Sequence, residues 1–147
     1  MFEEQMGDKI ISFIQKEGYK VFPQIPLFLG KIDFVGINRD SECLVIESKI
    51  KKWKRALKQA LRYGYGAEKA YIALPTPTAR NVEKKHRELF ENYEVGLIEV
   101  SKGVNVLIPC KIKTPSLIFK KIILTEVQKR ESMSRVRIAR FRERYKK

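Results

Sequence analysis

Two β-rich runs, KIDFVGI at 31–37 and CLVIESK at 43–49, are separated by five polar residues, and just after Ile50 the apolar spacing lengthens from two residues to about 3.6. The connection Asn38-Arg39-Asp40-Ser41-Glu42 has hairpin length, so the runs are expected to pair antiparallel. The longer period predicts a helix with Trp53, Ala56, Leu57, Ala60, Leu61 and Gly64 on its packed face. Lys51, Lys52, Lys54, Arg55, Lys58 and Arg62 cover the rest of it. KAYIALP at 69–75 is a continuous apolar strand, the pattern of one covered on both faces.

The remaining segments extend this alternation. Met6, Ile10, Phe13 and Ile14 give residues 3–17 a helical stripe that Gly18 is placed to end. In YKVFPQIPLF, Pro23 and Pro26 argue for an edge or irregular strand. A charged helix is expected at about 79–92, followed by the strands VGLIEV and VNVLIP around a Ser101-Lys102-Gly103 turn. The order predicts an α/β fold in three layers, a mixed central sheet of about five strands flanked by helices. A boundary near Pro109-Cys110 divides residues 1–110 from a basic helical extension, 111–147. There Thr114-Pro115 looks like a helix start. Phe119, Ile122, Ile123 and Val127 form one stripe and Ile138, Phe141 and Tyr145 another, with the polar QKRESMS between them, so two helices or one broken helix are expected.

The chain has 147 residues and a net charge of +14, and 13 of its 31 basic residues but only 3 of its 17 acidic ones fall in 111–147. Such an excess calls for a polyanion, and nucleic acid fits better than an anionic membrane, because the extension's apolar stripe is narrow. The opening MFEEQMGDKI has acids where a signal peptide has basic residues and an apolar stretch, and no apolar run is long enough to span a bilayer, so a cytoplasmic location is expected. Cys43 and Cys110 lie far apart and His86 is the single histidine. A structural zinc site, a four-thiolate cluster and chemistry built on paired histidines therefore lack their ligands. His86 reads as a solvated side chain on a charged helix, Trp53 as a core residue, and the thiols as free and half-buried in strands.

Two charged residues stand where charge is costly. Asp33 lies inside IDFVGI and Glu47 at the end of LVIES. Glu47 and Lys49 are two apart on a strand and project from one face. If the hairpin forms, Asp33 lies across from Glu47, and two carboxylates and an ammonium converge at a strand end. The plainer alternative is a solvated strand end paired with Lys31. A convergent cluster suits a hard divalent cation such as Mg²⁺, which takes carboxylate, water and phosphate oxygens. Lys49 beside it would orient a water and offset charge on a phosphodiester in hydrolysis.

Asp33 followed by Glu47-Ser48-Lys49 resembles the D-x(n)-(D/E)-x-K signature of the PD-(D/E)XK nuclease superfamily, and Gln59-Ala60-Leu61-Arg62-Tyr63 is similar to its Q-x-x-x-Y motif. The resemblance covers about residues 1–100. Ile32 stands where the name of the superfamily has proline, a position that varies within it. It implies a restriction endonuclease-like fold and a Mg²⁺- or Mn²⁺-dependent deoxyribonuclease. Asp33, Glu47 and Ser48 would be its metal contacts, joined by Glu4 of the first helix with Glu3 as the fallback. Lys49, Gln59 and Tyr63 would complete the catalytic set. Lys51, Lys52, Arg55 and Arg62, with Arg135, Arg137, Arg140, Arg142 and Arg144, are the expected nucleic-acid contacts. The size suits a structure-selective endonuclease acting as a homodimer, as junction resolvases do. An inactive nuclease fold serving as a nucleic-acid-binding subunit and an RNA nuclease remain alternatives.

Overall fold

In the computed structural model, which describes residues 3–28 and 30–144, the N-terminal stripe forms α1 (Glu3–Lys16) and buries Met6, Ile10 and Ile14. Glu3 and Glu4 in its first turn and Lys16 in its last complement the helix dipole. Gly18, at φ 92°, ends it in the left-handed region that glycine enters without strain.

Six strands follow, β1 (Lys20–Leu27), β2 (Gly30–Ile37), β3 (Cys43–Ser48), β4 (Lys69–Pro75), β5 (Gly96–Val100) and β6 (Val104–Ile108), in one sheet of spatial order β1-β2-β3-β4-β5-β6. The sheet is mixed, as expected, with one strand more than about five because the proline-containing segment is a full strand. β1–β2, β2–β3 and β5–β6 are antiparallel, while β3–β4 and β4–β5 are parallel. β1 is an edge strand, which is why Pro23 and Pro26 are tolerated there. Its open side is capped from the C-terminal helix: Arg130 donates Nη1–H to the Pro23 carbonyl and Nη2–H to the Gln24 carbonyl, each at 2.7 Å. In the β2–β3 turn the Asn38 Oδ1 accepts from the N–H groups of Asp40 (3.0 Å) and Glu42 (2.8 Å), an Asx turn that sets the hairpin register.

The parallel connections carry α2 (Trp53–Tyr63), continued by a 3₁₀ turn (Gly64–Gly66), and α3 (Thr76–Tyr93). Both pack on the sheet face opposite α1. On one side Met6, Ile10 and Ile14 meet Phe34, Leu44, Ile46, Ala73 and Ile98. On the other, Ala56, Leu57, Ala60, Val82 and Phe90 meet Val35, Val45, Ile72, Leu74 and Leu97. His86 is half-buried rather than solvated, because a break in helical geometry at that residue (φ −131°, ψ 17°) brings its ring 4.7 Å from that of Trp53. Trp53 packs against the core as expected.

The C-terminal segment is one helix, α4 (Leu117–Arg144), not two and not broken. The stretch QKRESMS has no Gly or Pro to interrupt it, and the ion pairs Lys129–Glu126 and Arg135–Glu131 support it at i,i+3 and i,i+4. The helix starts two residues later than Thr114-Pro115 suggested, with Ser116 Oγ accepting the Phe119 N–H at 3.4 Å. Ile123 and Val127 enter the same core as α2, while the side chains of Ile138 and Phe141, and Tyr145, lie outside the described residues.

Both cysteines are free. Cys43 is buried in β3, and Cys110 is half-buried just beyond β6. Burial, and then the Glu68 charge, pushes the Cys43 thiol up to about 12. In native protein at pH 8 a thiol reagent is expected to label Cys110 only, with Cys43 reacting once denaturant is added. Counting labels by intact mass checks this, and two labels on the native chain would contradict the burial.

Candidate functional site

The hairpin register brings the two acids together. Phe34 pairs with Ile46 and Val35 with Val45, so Asp33 stands opposite Glu47 on the face covered by α2. Two hydrogen bonds tie the pair: the Asp33 N–H donates to Glu47 Oε1 at 3.2 Å, and the Ser48 N–H donates to Asp33 Oδ2 at 2.9 Å. Each carboxylate is thus held by backbone near the other acid, so their separation depends on the strands rather than on side-chain rotamers.

Glu47 is 0% exposed, and its Oε2 has no hydrogen-bond partner among the described residues. Burial, and next the neighbouring Asp33 charge, pushes its carboxyl up to about 9; the Lys49 ammonium acts in the opposite direction. Lys49 follows β3 directly, half-exposed, with its N–H bonded to the Ala73 carbonyl at 3.2 Å, so its backbone is fixed to β4.

From α2, Tyr63 is buried against the same place. A Cβ on Gly30 would lie 2.5 Å from the Tyr63 hydroxyl, so the absence of a side chain there lets the ring reach over the start of β2. Its hydroxyl is pushed above the ordinary tyrosine value, first by burial and then by the Glu47 charge. Gln59 lies one turn earlier on α2, and its Oε1 is a second buried oxygen without a hydrogen-bond partner among the described residues. Asp33, Lys49 and Tyr63 thus stand around the Glu47 carboxyl, with Gln59 on the helix face next to it.

The structure does not gather every expected residue. Glu4 is exposed in the first turn of α1, whose packed face lies across the sheet from α2, and so is Glu3. Among the described residues no group of three or more His, Cys, Asp or Glu side chains is placed to hold a metal ion. Ser48 joins through its backbone N–H, since it pairs with Ala73, a residue of the α1 side. The oxygen-only pair of Asp33 and Glu47, with one buried oxygen unsatisfied, fits a hard cation whose other positions go to water and substrate. Lys51, Lys52, Arg55 and Arg62 are exposed, as are Arg135, Arg140 and Arg142; the side chains of Arg137 and Arg144 lie outside the described residues.

Two buried carboxylates, Glu68 and Glu99, were not anticipated, and the second shares the site's face of the sheet. Glu99 of β5, 3% exposed, accepts from Arg80 Nε (2.9 Å) and Nη2 (3.2 Å) and from Asn105 Nδ2 (3.3 Å). The Arg80 guanidinium holds its carboxyl below the usual range. Glu99 pairs with Leu74, so it occupies the same sheet face as Glu47, one strand beyond β4. The signal was present in the sequence, where Glu99 interrupts the apolar run GLIEV as Glu47 interrupts LVIES.

No protein-family model and no curated protein matches the chain in sequence. Among solved structures, a Silicibacter pomeroyi protein of unknown function shares the fold, with a TM-score of 0.67 at 14% identity, over 94% of this chain and 90% of that one. A repair endonuclease from Pyrococcus abyssi superposes with a TM-score of 0.47 at 21% identity, over 69% of this chain and 47% of that one. Pyrococcus furiosus SfsA, in complex with Ca²⁺, gives 0.44 at 12% identity, over 76% and 65%. The class that fold and site define is a three-layer α/β protein carrying a carboxylate pair, Glu47 buried and Asp33 half-buried, and a lysine at a strand end. Among the described residues no helix is long and apolar enough to cross a membrane.

Proposed function

We propose that this protein is a metal-dependent nuclease that hydrolyses DNA phosphodiester bonds. The observation that carries the reading is the Glu47 Oε2, fully buried beside Asp33 and accepting no hydrogen bond from a donor among the described residues, since buried oxygens of this kind are otherwise nearly always hydrogen-bonded. A bound Mg²⁺ or Mn²⁺ would compensate it, neutralise phosphate charge and acidify a coordinated water. Asp33 and Glu47 hold that position, fixed by the Ser48 and Asp33 N–H groups. Lys49 orients the attacking water and offsets charge that builds on the phosphate. Tyr63 and Gln59 brace the wall supplied by α2. The exposed cations of α2 and α4 hold the phosphate backbone without reading sequence. Each chain carries one such centre, so acting on both strands of a branched duplex takes a homodimer.

The test is cleavage of linear duplex, single strand, flap and four-way junction, as DNA and as RNA, with Mg²⁺ or Mn²⁺. Wild type is expected to cut DNA only with the cation, and Asp33→Ala to lose at least about 100-fold of that rate. Activity that survives the substitution removes the mechanism. Cleavage confined to RNA reassigns the substrate. Absence of both cleavage and a Mn²⁺ binding isotherm leaves a nucleic-acid-binding module.

A further inference from the structure

Three aromatic rings, those of Phe28, Tyr65 and Phe119, take no part in the proposed centre. Phe28, at the turn between β1 and β2, is 68% exposed and holds φ 55°, a conformation side-chain-bearing residues seldom adopt. Tyr65, in the 3₁₀ turn after α2, is 69% exposed. Phe119 of α4 packs on Phe28, with ring centroids 5.7 Å apart at 63°, and the chain entering α4 is tied to Tyr65 by the Ser116 N–H, which donates to the Tyr65 carbonyl at 2.9 Å. Phe119 is seated so closely on Gly66 that a Cβ there would come 2.6 Å from its Cδ1. Contact with Phe119 thus gives Phe28 a defined seat while leaving most of it in water.

Both ends of this row connect to the proposed centre. Pairing of β2 with β3 begins at Phe34, whereas β2 pairs with β1 from Gly30 onward, so the β1–β2 hairpin runs past the end of β3 with Phe28 at its tip. Two residues from Phe28, Gly30 lies under the Tyr63 hydroxyl, and Tyr63 is itself two residues before Tyr65. Two cations lie three residues along the chain from these rings: Lys31 of β2 follows Phe28, Arg62 of α2 precedes Tyr65, and both are exposed.

We infer that Phe28, Phe119 and Tyr65 form a stacking platform for unpaired bases of a nucleic-acid strand whose backbone continues to the acid pair, so that the substrates are single strands, flaps or opened ends. Exposed rings next to cations are the two components that sequence-tolerant single-strand binding uses, because every base has a π face while its phosphate needs a counter-charge. A closed duplex offers no such face. A second copy of this chain is the competing occupant, and exposed Leu117 and Ile118 extend the apolar surface. That occupant would set the exposed Lys31 and Arg62 of one copy against those of the other at this surface, whereas a polyanion complements them. The location rests on the proposed nuclease centre, but the binding does not need metal or cleavage.

The experiment measures binding of fluorescein-labelled oligothymidylate and of a blunt duplex of equal length by anisotropy, in EDTA, across a salt series. Phe28→Ala and Tyr65→Ala are each expected to weaken oligothymidylate binding about tenfold and leave the duplex unchanged; Phe28→Tyr retains affinity. The loss should persist at high salt, since stacking releases no counterions. Equal losses for both ligands, or none, overturn the platform, and so does a wild-type dimer in sedimentation that Phe28→Ala dissolves while oligothymidylate binding is unchanged. Metal-dependent cleavage at saturating flap substrate that persists in Phe28→Ala leaves the nuclease reading standing whichever way the platform is decided.

Discussion

Glu47→Gln is expected to abolish divalent-cation binding and cut cleavage at least about 100-fold while raising the melting temperature. Glutamine keeps an oxygen for the Asp33 N–H and removes a fully buried carboxyl whose other oxygen accepts no hydrogen bond from a donor among the described residues. Replacing a buried, uncompensated ionisable group by a neutral one of equal shape contributes about 1–3 kcal/mol to stability. For a chain of this size each kcal/mol raises Tm by about 2–4 °C. Titration calorimetry with Mn²⁺ and thermal unfolding in EDTA read the two effects separately. If Glu47 served only the fold, Tm would fall and no cation isotherm would exist to lose. Lys49→Ala is the companion variant, losing cleavage by a comparable factor and keeping the isotherm, because an ammonium is no metal ligand. Loss of the isotherm in Lys49→Ala would place the residue in the wrong role.

Lys120→Met is expected to destabilise the protein by about 3–5 kcal/mol, the usual result of stripping a buried ion of its partner. The Lys120 Nζ donates to Glu68 Oε2 at 2.8 Å, and the side chains are only 17% and 10% exposed. Glu68 cannot turn to solvent, since its Oε1 accepts the Cys43 N–H at 3.1 Å and its backbone carbonyl accepts the Lys113 N–H. The pair thus joins α4 to β3 through the segment leading into β4. Equilibrium denaturation measures the effect, and Lys120→Met with Glu68→Gln should recover part of it, because the stranded charge is then removed. A change under about 1 kcal/mol in the single variant would show that α4 is not held by this contact.

How far the site was legible depends on the range of each interaction. Asp33 and Glu47 were readable because period-two alternation and a hairpin-length connection together put i and j opposite each other. Gln59 and Tyr63 were readable as one helix face. Glu4 was carried over from a resemblance, and no local pattern states which side of a sheet a preceding helix will choose. The choice is made by Met6, Ile10 and Ile14 fitting Phe34, Leu44 and Ile46, contacts between segments far apart in the chain. The ion pairs Glu68–Lys120 and Arg80–Glu99 had no sequence signal for their partners, 52 and 19 positions away. The continuity of α4 is not legible because its apolar stripe fades at QKRESMS, where the helix meets the edge strand β1 through the polar side chains of Arg130 and Glu131.

By itself the amino-acid order determined the succession of elements, the mixed α/β layering and the pairing of two acids across one hairpin, since propensity, period and turn length act over a few residues. Only the tertiary structure decided that one Glu47 oxygen is buried without a donor among the described residues, that Gly30 admits the Tyr63 hydroxyl and that α4 seats Phe119 on Gly66. Burial and close approach are properties of surfaces brought together by the whole core, and no single segment encodes them.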